Sequence, residues 1–157
     1  MRRSDREIAE LAEIKKIIDK CAVMRVGFAD GNTPYIVPLN FACEEIDGQL
    51  RFIFHSAAEG RKIDMIQKNP HVCIELDCLL NIVSSEQPHE WTAEYESVIA
   101  SGTARLLSDT GEKKAAMDAL MRKYGFAGTP EYPEAMLARV AVGIITVSEI
   151  TGKRNKR

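Results

Sequence analysis

The run FIFHSAAEGRKIDMIQKNP, Phe52–Pro70, contains the change of pattern on which the fold turns. Its first residues are aromatic or β-branched, as a buried strand requires. The run reaches His55-Ser56, passes two alanines, and becomes charged at Glu59-Gly60-Arg61-Lys62 before continuing at helical spacing through Ile63, Met65 and Ile66. Asn69-Pro70 then stops the helix. A strand therefore hands over to a helix where a hydroxyl and two cations gather. Such a junction suits an anion: first-turn amides lack intrahelical acceptors, the helix dipole adds partial positive charge, Ser56 offers a hydroxyl, and Arg61 presents a fork matched to phosphate oxygens. Arg61 and Lys62 also fit the plainer reading of a solvated helix start, and the pattern alone leaves both open. No glycine-rich phosphate loop of the nucleoside triphosphate or dinucleotide kind accompanies them.

The residues before this run read as strands. CAVMRVGFA, Cys21–Ala29, passes the turn signal Asp30-Gly31-Asn32 into PYIVPLNFAC, Pro34–Cys43, and Asp47-Gly48 leads on into QLRFIFHS, Gln49–Ser56. Together they predict an antiparallel meander. Ahead of it, Ser4 and Glu7 form a capping-box pattern, and Ile8, Leu11, Ile14, Ile17 and Ile18 follow at helical spacing, so a helix is expected from about Ser4 to Asp19. Downstream come the strand HVCIELDC, His71–Cys78, the polar loop SSEQPHE, and the long strand-like run WTAEYESVIASGTARLL, Trp91–Leu107. A second helix is expected near Asp109, with Glu112 three residues on and Ala116, Leu120 and Met121 on its buried side. Gly125 ends it, Pro130 and Pro133 mark a loop, and ARVAVGIITVSEI, Ala138–Ile150, has the β-branched richness of a buried strand. Six strands against two or three helices predict a mainly β, α+β fold: an antiparallel barrel with helical additions.

At 157 residues, 45% hydrophobic and 28% charged, the chain fits a single domain, residues 1–157, with one core. The net charge of -2 gives no basic field for nucleic acid, and the basic ends MRR and GKRNKR read as solvated tails. No apolar stretch approaches the ~20 residues of a membrane span, and Met1–Lys20 lacks the apolar centre of a signal peptide, so a cytoplasmic protein is expected. Cys21, Cys43, Cys73 and Cys78 form no CxxC pair and read as reduced, packed thiols. Strand alternation puts His71, Cys73, Glu75 and Asp77 on one face and Cys78 on the other, so these residues and His89 are not expected to form a metal site.

Three segments carry a resemblance: YIVPLNF, Tyr35–Phe41; FHSAAEGRKIDMIQKNPHVCIELD, Phe54–Asp77; and YESVIASGTARLL, Tyr95–Leu107. With EITGKRN, Glu149–Asn155, they resemble the FMN-binding split-barrel superfamily typified by pyridoxamine 5'-phosphate oxidase, and most closely its nitroimidazole-resistance-like branch. The resemblance implies a six-stranded antiparallel split β-barrel of FMN-binding type, forming a homodimer with two cofactor sites at the subunit interface. It implies that Ser56, Arg61 and Lys62 hold the FMN phosphate. His55 stands where the oxidases have an aromatic residue that contacts the flavin through its backbone, Val37, Pro38, Leu39 and Asn40 run beneath the isoalloxazine, and Ser97 stands where the oxidases place a glutamine. Tyr35 and Asn40 replace an arginine and a lysine of the oxidases. The C-terminal residues Ile150 and Lys153–Arg157 replace their tryptophan and Arg-Leu-His substrate motif, so pyridoxamine 5'-phosphate oxidase activity itself is not expected.

What the resemblance implies for function is an FMN-dependent oxidoreductase that reduces a small flat acceptor such as a nitroaromatic compound or a quinone. His55 is a candidate proton donor because imidazole changes charge near neutral pH; a packed, hydrogen-bonded histidine fits the sequence equally. Trp91 and Tyr95 fit either flavin stacking or core and dimer contacts. Lys153 and Arg154 fit either closure over an anion or a flexible tail. Two other readings stand: a haem-binding split barrel with His55 or His71 as axial ligand, and a non-catalytic flavin-binding sensor dimer.

Overall fold

The computed structural model describes residues 4–156; Met1, Arg2, Arg3 and Arg157, which belong to the two basic ends, lie outside the described residues. Its centre is an antiparallel sheet of eight strands: β1 (Glu7–Ile8), β2 (Met24–Asp30), β3 (Thr33–Leu39), β4 (Phe41–Ile46), β5 (Gln49–Ala57), β6 (His71–Val83), β7 (Thr92–Leu106) and β8 (Val140–Asn155). The pairing order is β3-β2-β6-β7-β8-β5-β4, with β1 on β8. β3 and β4 stand at opposite ends of that order, yet only Asn40 separates them in sequence. The sheet must therefore curl until its two edges meet, which makes a barrel split between β3 and β4.

This differs from the expected meander. PYIVPLNFAC is two strands that leave Asn40 for opposite edges, and β1 adds another, so eight strands stand where six were expected. The split suits the prolines: Pro34 and Pro38 have no N–H to give a second neighbour, and β3 is an edge strand. Phe41, Phe52 and Phe54 are fully buried in the barrel interior with Met24, Val26, Ile74 and Ile145. Gly143 makes room for Phe54, because a β-carbon there would collide with that ring.

The helices fill what the sheet leaves open. The first, α1 (Leu11–Lys20), buries Ile14, Ile17 and Ile18 in the barrel core. It is shorter than the expected Ser4–Asp19 helix: Ser4–Arg6 is a single 3-10 turn, and Glu7–Ile8 pairs with Lys153 and Gly152 of β8. Pairing with β8 overrides the local capping signal, and the site is shaped for it. A β-carbon at Gly152 would stand 3.1 Å from that of Ile8 and 2.8 Å from Ile14. Helix α2 (Arg61–Lys68) buries Ile63, Met65 and Ile66 and meets the other end of the barrel, where Asn69 Nδ2 donates to Ala29 O and Ala104 N–H to Pro70 O.

Helix α3 (Thr110–Lys123) begins as expected, with Asp109 Oδ1 accepting from the Glu112 amide at 2.8 Å. It lies over the outside of β4, β5 and β8, where Ala116 and Leu120 cover Ile53 and Val142. The expected Pro130/Pro133 loop is followed by a short helix, α4 (Glu134–Leu137), with Pro133 at its N-cap. Strand β8 runs on to Asn155, so this part of the basic end is held in the sheet and not a free tail. No helix among the described residues is long and apolar enough to cross a membrane.

Candidate functional site

The junction between β5 and α2 is built as a cradle. Gly60 stands just before the helix at φ 124°, a backbone angle that side chains oppose, and its carbonyl accepts from the amides of Ile63 and Asp64. The first-turn amides of Arg61 and Lys62 precede any intrahelical acceptor. Ser56 is half-buried at the end of β5, with its hydroxyl donating to Ala57 O at 2.9 Å. The guanidinium of Arg61 lies 4.4 Å above the ring of Tyr35, which in turn packs 6.3 Å from Phe28. The aromatic residue at position 35 therefore holds Arg61 at the rim of the barrel mouth. Lys62 is half-buried beside it. The Ala58 amide donates to Arg139 O, fixing the loop between strand and helix.

The structure sets Arg61 against Tyr35, with Lys62 next in the chain and Ser56 five residues earlier at the end of β5. Val37 and Leu39 turn into the barrel core, leaving Pro38 and Asn40 exposed. His55 alternates with Phe54 and Ser56, so its side chain leaves the sheet on the face opposite Ser56, the face that α3 covers further along. The residue is exposed, and partial desolvation of the imidazole lowers its pKa.

Ser97 lies on the outer face of β7, between Asp77 and Lys153. Tyr35 reaches Gly102 through Phe28 and Val72. Three strand spacings and five residues along β7 then put Ser97 about 20 Å from Tyr35. A second cationic group stands there. Lys153 Nζ lies 5.6 Å from the Tyr95 ring centre, and hydrogen bonding from Lys153 holds the Tyr95 hydroxyl below its usual pKa. Trp91 is exposed, its indole N–H donating to Ser85 O at 2.6 Å.

An open groove of about 450 Å³ lies on the outer face of the sheet, lined by Pro34, Ile36, His71, Cys73, Ser101 and neighbouring residues. Ile36 is 65% exposed there. Sequence reasoning did not single out Ile36 or Ser101. The signal was present in strand alternation, which aims Ile36 away from the core that Val37 enters. Nor did it find the charge cluster at Glu96. This carboxylate is 3% exposed, accepts from Lys20 at 2.5 Å and Arg154 at 2.6 Å, and Arg154 also reaches Glu13 at 3.2 Å. Burial pushes the Glu96 carboxyl up, but the two cations outweigh burial and hold it below the usual range.

A curled antiparallel sheet, split at one edge pair and carrying an anion cradle at the end of β5, defines a split-barrel protein. The chain belongs to the pyridoxamine 5'-phosphate oxidase family, whose model matches residues 10–154. It is similar to the crystal structure of a candidate 5-nitroimidazole antibiotic resistance protein from Bacteroides thetaiotaomicron. That likeness has 31% identity and a TM-score of 0.82, and covers 94% of this chain and 86% of the other. The fold is shared with a flavocytochrome from Azotobacter vinelandii at 19% identity and a TM-score of 0.83, covering 100% of this chain and 72% of that one. It is shared too with an FAD and haem binding protein from Mycobacterium smegmatis at 14% identity and 0.84, covering 97% and 74%. Comparison with curated proteins gave no match.

Proposed function

We propose that this chain binds FMN as half of a homodimer and serves the reduction of a small flat acceptor, a nitroaromatic compound or a quinone. The observation that carries the reading is the Gly60 junction with Arg61 held over Tyr35. Ser56, the first-turn amides, Arg61 and Lys62 are a donor set of the right chemistry for a phosphate monoester, and the adjacent groove, with Ile36 and Pro34 on its wall, suits a planar apolar ring system. When bound, the flavin would carry electrons from a reduced nicotinamide or another donor to the acceptor.

The protein's own contribution is binding, orientation and access. Arg61 and Lys62 neutralise the phosphate; Pro38 and Asn40, exposed on β3, stand where the ring would be met from below. His55 contributes through its backbone in this reading, since its side chain points the other way. Ser97, about 20 Å from the Tyr35 end, belongs to the cofactor site of the opposite protomer, which is why the reading includes a dimer. The likeness to the nitroimidazole-resistance structure supports the choice of acceptor.

The test is a visible spectrum of the protein purified from cells, with identification of the released chromophore. A yellow protein releasing FMN, and reoxidised anaerobically by nitroaromatics or quinones after reduction, supports the proposal. FMN held without turnover for any donor and acceptor leaves a binding or sensor dimer in its place. His71 lines the groove, so a haem spectrum would assign the groove to haem with His71 as the axial ligand to test first.

A further inference from the structure

Four cysteines are present, and two of them meet. Cys21 caps the C-terminal end of α1 and is buried; Cys78 lies on the inward-facing side of β6 and is half-buried. Their sulfur atoms stand 3.2 Å apart, and Cys21 Sγ also faces Asp77 O at 3.7 Å. Cys73 is exposed on the outer face of β6, and Cys43 lies on β4, which borders β5 alone.

We propose that Cys21 and Cys78 form a dithiol that a hydroperoxide converts into an intramolecular disulfide and that a thiol reductant restores. Two thiols in contact, reached from 57 positions apart in sequence by helix α1 and strand β6, need a small side-chain adjustment to bond. The pair faces inward, between α1 and β6, and so does not depend on whether a second protomer covers the outer face.

The order of events follows from exposure. Cys78 is the less buried sulfur and meets the peroxide first. Its sulfur takes one oxygen from the peroxide to give a sulfenic acid, releasing one water. The Cys21 sulfur then attacks the Cys78 sulfur; the S–O bond breaks, the hydroxyl leaves with the Cys21 proton as a second water, and the S–S bond is made. Two thiols and one hydrogen peroxide thus become one disulfide and two waters. Burial and the contact with Cys78 push the Cys21 thiol up to about 12, so Cys21 is the poorer sulfur for first attack on the oxidant.

The bridge would tie the end of α1 to the row of the sheet that holds the buried ion cluster. Cys78 is the cross-strand partner of Glu96, and Lys20, next to Cys21, is one of the two cations on Glu96.

The experiment exposes the purified full-length protein to a few equivalents of hydrogen peroxide, alkylates the remaining thiols, and maps the peptides. The expected result is a fall from four alkylated cysteines to two, loss of two hydrogens in the intact mass, one cross-linked peptide joining Cys21 to Cys78, and full recovery with dithiothreitol. Four alkylated cysteines after treatment, a bridge to Cys43 or Cys73, or Cys78 carried to sulfinic acid without a bridge would each overturn the proposal. In Cys21→Ser, dimedone should trap a sulfenic acid at Cys78 that the native protein does not accumulate; trapping at Cys73 alone contradicts the stated order. The native peptide map decides the matter if Cys21→Ser does not fold.

Discussion

The guanidinium of Arg61 lies 4.4 Å over the ring of Tyr35, joining the first residue of α2 to edge strand β3. One contact thus aims the cation and closes the rim of the barrel beside the split. Arg61→Ala should weaken FMN binding about ten- to a hundredfold, the equivalent of one charge-assisted hydrogen bond of about 1.5–3 kcal/mol. Tyr35→Leu keeps the cation but frees it, and should cost only a few-fold, the scale of an exposed cation–π contact. Fluorescence titration of FMN against the apoprotein checks both. An Arg61→Ala protein that binds FMN as tightly as the native one would remove the phosphate from this cradle.

Gly60 holds φ 124° at the start of α2. A β-carbon meets no neighbour there, so the cost of Gly60→Ala is backbone strain alone. That strain is about 1–3 kcal/mol, which for a chain of this size lowers Tm by roughly 2–10 °C. If the backbone relaxes instead, the first-turn amides turn away and FMN affinity falls with stability kept. Calorimetry and FMN titration on the same sample separate the two, and a variant unchanged in both would show that the junction does not need this backbone angle.

Glu96 makes the stability acid-sensitive. Its carboxyl is held below the usual range in the folded chain, so the unfolded chain binds its proton more readily. The stabilisation is therefore complete above the unfolded carboxylate pKa of about 4.3 and is lost as pH falls through the folded value. Glu96→Gln should flatten the acid limb of a plot of unfolding free energy against pH. At pH 7 it should lower stability by about 2 kcal/mol, less than for a fully buried pair because Lys20 is half exposed. An acid limb as steep as the native one would place the sensitivity on other carboxylates.

His55 acts in the same direction over a higher window. Partial desolvation lowers its pKa, so the unfolded chain takes up the proton first as pH falls below about 6.5. Stability is full above that pH and declines towards the folded value. His55→Asn should remove this part of the slope between pH 7 and 5, seen in urea unfolding. Because the side chain leaves the sheet opposite Ser56, His55→Ala should leave FMN affinity within about twofold, an outcome at odds with any role for the imidazole against the flavin.

Much of this was legible in the sequence for identifiable reasons. The β5–α2 junction shows because its signals are local: an apolar strand, a glycine, then helical spacing in consecutive residues. Asp109 and Glu112 show the start of α3 in the same way. What stayed hidden depends on partners distant in sequence. Glu7–Ile8 looks helical until Gly152 offers a strand edge, and PYIVPLNFAC looks continuous because nothing local says that its halves pair at opposite ends of the sheet. Glu96 left a trace in its position, since strand alternation puts a carboxylate inward beside Val98, but its cations come from positions 20 and 154. The contact of Cys21 with Cys78 is hidden for the same reason.

The end of β8 gives the last test. Lys153, Arg154 and Asn155 would be dispensable as a solvated tail; in the fold each has a partner. Lys153 pairs with Ser97 in the sheet, Arg154 ion-pairs with Glu96 and Glu13, and Asn155 Nδ2 donates to Ala93 O at 2.6 Å. Ending the chain after Gly152 removes those strand pairs and leaves Lys20 as the sole cation on buried Glu96. The truncated protein should lose several kcal/mol, because a buried charge stripped of a partner costs about 3–5 kcal/mol where desolvation is complete. Arg154→Met, which keeps the strand and removes only the cation, should account for about half of the loss, and Arg154→Met with Glu96→Gln should recover part of it. Chemical unfolding of the three proteins decides this. A truncation with native stability would return these residues to the status of a tail.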